Sequence, residues 1–133
     1  MAIEGLAHVG IAVNNIDEAI AFFKDKLGAE LDTTRAADGK MNFGPHISAI
    51  VNVGTLALEL MQPTQEGTGP VGKFLKERGQ GIHHISLKVD SFSEAKADFE
   101  SKGLRVMGEM GGVMAFIHPK TLLGILTEFT EIT

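Results

Sequence analysis

The sequence predicts an α+β protein assembled from two β-α-β-β-β half-modules. Two observations carry this. A stretch of nineteen residues recurs at a constant offset, and each copy is followed by period-two, β-rich patterns. The chain has 133 residues, 44% hydrophobic and 22% charged, which suits one globular domain.

The repeat places His8–Lys26 over His84–Lys102 without a gap, identical at 7 of 19 positions. Each copy opens with alternating apolar residues, Val9, Ile11 and Val13 in the first and Ile85, Leu87 and Val89 in the second, the pattern of a strand with one buried face. Asn15 then precedes Glu18, and Ser91 precedes Glu94, by the three-residue spacing that opens a helix. Ile16, Ala19, Ile20 and Phe23 form the apolar stripe of the first helix; Phe92, Ala95 and Phe99 form that of the second. Gly28 and Gly103 stop the two helices. Strands are expected over about 29–36, 46–53 and 55–62, and again over about 104–109, 112–117 and 123–131. The half-modules thus run over about 5–63 and 81–131, joined by a linker helix over about 70–78 that starts at Pro70 and stops at Gly79.

Composition narrows the chemistry. There is no cysteine, so disulfides, thiolate metal sites and cysteine nucleophiles are excluded, and a metal must rest on nitrogen and oxygen ligands. A net charge of −5, with twelve scattered basic residues, argues against nucleic acid as a partner. No apolar run approaches the ~20 residues of a membrane span. Met1–Gly5 lacks a signal-peptide pattern. A cytoplasmic protein is the expectation.

The repeat also aligns chemistry. Each half begins with a histidine, His8 or His84, and nearly ends with a glutamate inside an apolar strand, Glu59 or Glu128. Glutamate inside such a run is paired, exposed or bound to something. Two imidazoles and two carboxylates make a site for a divalent ion such as Co, Ni, Zn or Mn. His83 adjoins His84, so strand alternation turns it to the other face. His46 opens a strand and has no repeat partner. Thr68 precedes the linker helix, whose free N–H groups could hold an anion with help from Lys73 and Lys76; a solvated linker is the alternative. His118 and Lys120 flank Pro119 in a turn, or contact substrate.

The segments His8–Val13, Leu58–Pro63, Gly69–Leu75, Gly81–Ser86, Phe116–Lys120 and Gly124–Glu128 resemble the vicinal oxygen chelate superfamily, and within it the methylmalonyl-CoA epimerases. The resemblance implies an eight-stranded cup-shaped mixed sheet, a divalent ion on His8, Glu59, His84 and Glu128, and a homodimer. It implies proton removal next to a thioester, with Glu128 as a catalytic acid–base and an acyl-CoA as substrate. Thr68, Lys73, His118 and Lys120 would contact that substrate. The family's second glutamate has no counterpart, since residues 36–46 contain none; Asn42 or Phe43 falls nearest its place, and Asp38 or His46 would substitute if the loop brings one to the metal. Glyoxalase-I-type isomerisation, and a non-catalytic small-molecule-binding protein on the same scaffold, are the alternatives.

Overall fold

The computed structural model describes residues 1–132. Its elements in order are β1 (Ile3–Ala12), α1 (Ile16–Leu27), β2 (Glu30–Leu31), β3 (Lys40–Asn42), β4 (His46–Val53), β5 (Leu56–Pro63), α2 (Gly69–Arg78), β6 (Gly81–Val89), α3 (Phe92–Ser101), β7 (Val106–Met110), β8 (Met114–Ile117), a 3-10 turn (Pro119–Thr121) and β9 (Thr127–Thr130). The chain divides into two compact units. One holds Val9–His83; the other holds Met1–His8 and everything from His84 onward.

In the Val9–His83 unit the strand order is β2-β4-β5-β1, with β3 paired to β4. β1 and β5 run parallel, in the register Val9↔Leu58, Gly10↔Glu59, Ile11↔Leu60. Strand alternation sends Val9, Ile11 and Val13 to one face, where they meet Ala49, Val51, Leu58 and Leu60 beneath α1. Gly10, Ala12, His46, Ser48, Ile50, Glu59 and Met61 are left on the opposite face, where α2 covers Ala12 and Met61 with Val71, Phe74 and Leu75. The α1 N-terminus is secured twice: Asn15 Oδ1 accepts from Glu18 N at 2.9 Å, and Gln62 Oε1 accepts from Ile16 N at 2.8 Å. Gly28, at φ 65°, ends α1 in the left-handed conformation; its N–H donates to the Lys24 carbonyl and the Ala29 N–H to that of Phe23.

In the other unit the order is β1-β6-β9-β8-β7. β6 and β9 run parallel, with Ile85↔Thr127, Ser86↔Glu128 and Leu87↔Phe129. Leu87, Val89, Ala115, Ile117 and Phe129 pack under α3. Phe129 is fully buried, stacked on Phe92 at 5.2 Å and meeting Phe99 edge-on at 5.0 Å. Removing an aromatic anchor of this kind costs about 3–5 kcal/mol. His84, Ser86, Phe116, Glu128 and Thr130 occupy the face away from α3.

Three strands depart from the sequence pattern. The stretch expected as 29–36 pairs only at Glu30–Leu31, because Asp32 turns the chain by accepting from both the N–H and the hydroxyl of Thr34. β3 was not foreseen; it is a three-residue strand between Gly39 and Gly44. The stretch expected as 123–131 shortens to Thr127–Thr130, since Pro119 opens a 3-10 turn and Leu123 adopts φ 55°.

Candidate metal centre

His8 and His84 stand at matching points of the repeat, and the unit they share brings their Nε2 atoms to 3.1 Å, with the rings edge-on at 5.2 Å. His84 is 5% exposed and braced by Phe116, ring to ring at 5.8 Å. Glu128, 8% exposed, directs Oε2 to within 3.5 Å of His8 Nε2. The same oxygen accepts a hydrogen bond from Ser86 Oγ. Strand register explains this grouping. Ser86 on β6 and Phe116 on β8 both lie directly beside Glu128 on β9, on the face that α3 leaves uncovered.

Glu59 belongs to the other unit. It sits in β5 beside Gly10 of β1 and Ile50 of β4, half-buried, on the face away from α1. Its charge acts on two imidazoles of its own unit. Burial pushes the His46 and His83 rings below the usual histidine pKa, and Glu59 partly opposes this at both. His83 rests edge-on against Phe74 at 5.2 Å, with Arg78 over that ring at 5.5 Å. Within their own unit, His8 and His84 set two imidazole nitrogens, potential metal donors, side by side.

The remaining sequence candidates have local partners. Thr68 is the N-cap of α2 without capping it by its side chain; its hydroxyl donates to Gln65 O at 2.6 Å. Lys73 is exposed, whereas Lys76 lines a groove of about 780 Å³ with Asn14, Gln62, Thr64 and Leu75. His118 Nδ1 accepts from Lys120 N at 3.1 Å and so caps the 3-10 turn; Lys120 is exposed. Ser86 and Phe116 were not singled out from the sequence. The available signal was that Ser86 is the repeat counterpart of Gly10, next to which Glu59 stands.

Two diverged copies of one β-α-β-β-β motif each carry a histidine on the first strand and a glutamate on the last. The chain belongs to the glyoxalase/bleomycin resistance protein/dioxygenase superfamily, whose model matches residues 7–116. It has the mixed-sheet vicinal oxygen chelate fold of that superfamily. The chain is 32% identical to the mitochondrial methylmalonyl-CoA epimerase of Homo sapiens, over 95% of its own length and 73% of the relative. It superposes on the crystal structure of methylmalonyl-CoA epimerase from Mycobacterium tuberculosis with a TM-score of 0.84 and 30% identity, covering 98% of this chain and 89% of that one. A methylmalonyl-CoA epimerase in complex with methylmalonyl-CoA and NH4+ matches with a TM-score of 0.79 and 28% identity, covering 96% and 94%.

Proposed function

We propose that the protein is a metal-dependent epimerase of a 2-substituted acyl-CoA such as methylmalonyl-CoA. The observation that carries the reading is the buried Glu128 carboxylate, hydrogen-bonded by Ser86 and within 3.5 Å of the His8 imidazole, in a chain whose relatives bear that name. His8, Glu59, His84 and Glu128 would hold the ion. The donor set fits it: two imidazole nitrogens converge at 3.1 Å with a carboxylate oxygen beside them, which is borderline nitrogen and oxygen chemistry suited to Co, Ni, Zn or Mn. A divalent ion supplies a Lewis acid that stabilises negative charge on a carbonyl oxygen.

The chain's own residues do the rest. A hydrogen on the carbon between a thioester and a carboxylate is weakly acidic, and Glu128 is the carboxylate that takes it or returns it. Ser86 holds one carboxylate oxygen, so the acid presents a fixed direction. Phe116 and the strand face around Glu128 keep water away from it. In this reading the protein acts in the cytoplasm as a homodimer, with Thr68, Lys73, His118 and Lys120 contacting the acyl-CoA.

Incubation with methylmalonyl-CoA in deuterium oxide should place deuterium at C2 when a divalent ion is supplied. Absence of exchange with all of Co, Ni, Zn and Mn overturns the reading. Elemental analysis checks the ligands separately: His8→Ala and His84→Ala should each lose bound metal, and unchanged content refutes their assignment.

A further inference from the structure

β4 carries two side-chain atoms that are buried without a hydrogen-bond partner, Ser48 Oγ and His46 Nδ1. Native proteins leave few such atoms, because each unpaired group forfeits its interaction with water. The two residues are two apart along the strand, so they share a face. Register identifies it: Ser48 lies beside Met61 and Ile50 beside Glu59, so this is the Glu59 face of the Val9–His83 unit, away from α1. The Phe43 ring flanks His46 at 5.5 Å.

The chemistry of the ring follows from its surroundings. A neutral imidazole has one N–H and one bare nitrogen. An orphaned buried N–H is rarer in proteins than an under-satisfied acceptor, so the proton belongs on Nε2 and the enclosed Nδ1 stays bare. Burial keeps the ring neutral near pH 7; the Glu59 charge opposes this with the smaller effect. The Glu59 face therefore carries an uncharged N–H donor, which suits an oxygen acceptor.

We infer that His46 is a further substrate-contacting residue, donating from Nε2–H to a carboxylate or carbonyl oxygen of the acyl group. The identity of that ligand rests on the acyl-CoA reading above; the donor state of the ring does not.

The experiment uses the zinc-loaded protein with His46→Gln and His46→Ala. Long-range 1H–15N NMR at pH 7, with the His46 signals assigned by their loss in His46→Gln, should find Nε2 protonated and Nδ1 bare. In the deuterium-exchange assay His46→Ala should raise KM about tenfold or more, the scale of one lost hydrogen bond to a charged group, with a smaller change in kcat. His46→Gln, whose amide N–H reaches a similar point, should stay within about threefold of the unsubstituted protein. An Nδ1–H tautomer or an imidazolium overturns the inference, as does unaltered exchange in His46→Ala. Equal loss in both variants overturns it too, because the ring itself is then required. If the unsubstituted protein exchanges no deuterium with any of the four metals, the acyl-CoA reading fails instead, and the NMR result still decides the donor state.

Discussion

The two glutamates occupy equivalent places in the repeat and live in different surroundings. Glu128 is 8% exposed, and the residue beside it on the neighbouring parallel strand is Ser86, whose hydroxyl it accepts. Glu59 is half-buried, and the residue at the same register is Gly10, which has no side chain to offer. Duplication kept the backbone register and changed the residue opposite the acid. A carboxylate fixed by a hydroxyl and shielded from water is suited to moving a proton in a set direction. One beside a bare glycine receives no hydroxyl from that position. The lesson is that the pseudo-symmetry of the backbone does not extend to the surroundings of the acids.

Substitutions that treat the two copies alike test this difference. The largest effect is expected from Glu128→Gln against Glu59→Gln. Loss of a positioned general acid–base costs roughly 10²–10⁴ in rate. The Glu59 variant should lose less, and kcat for deuterium exchange measures both. An equal loss, or the reverse order, dissolves the contrast. Next comes Ser86→Ala, which leaves Glu128, like Glu59, without a hydroxyl at that register position. Partners of a site residue are worth roughly 10–100-fold. The slowing should appear in kcat with a metal content unchanged by elemental analysis; full activity would remove Ser86 from the site. The smallest effect concerns the helix caps. Asn15 Oδ1 accepts from Glu18 N at 2.9 Å, while Ser91 Oγ accepts from Glu94 N at 3.4 Å. Asn15→Ala should cost about 1 kcal/mol in urea unfolding, and Ser91→Ala should cost less. A larger loss at Ser91 contradicts the geometry.

Much of this was legible in the residues. The repeat register located β1 with β6, α1 with α3, both caps and the His8–His84 pair, because a duplicated motif reveals itself through local periodicity and spacing. Glu128 was readable as a carboxylate inside an apolar strand. What stayed hidden depends on contacts far apart in the chain. Gln62 caps α1 from 46 residues away, and nothing near it marks that task. Ser86 gains meaning only through the parallel register that sets it beside Glu128. β3 is short, and its pairing with β4 rather than any pattern of its own makes it a strand. The start of β9 was misjudged because Pro119 and the positive φ of Leu123 hold the preceding chain in turns that apolar residues disguise.

β1 belongs to both units, and this sets an order of events during synthesis. Its later residues, Val9–Ala12, find their parallel partners in Leu58–Met61, all within the first half of the chain. Its earlier residues share a unit only with chain from His84 onward. The ribosome delivers residues one at a time, at about 5–20 per second. The Glu59 copy can close while translation is still under way, whereas the Glu128 copy must wait for Thr127–Thr130, its final strand. A nascent or prematurely ended product thus carries Glu59 and lacks the hydroxyl-bound Glu128. The half of the scaffold that carries the Ser86–Glu128 hydrogen bond is the later of the two to be made.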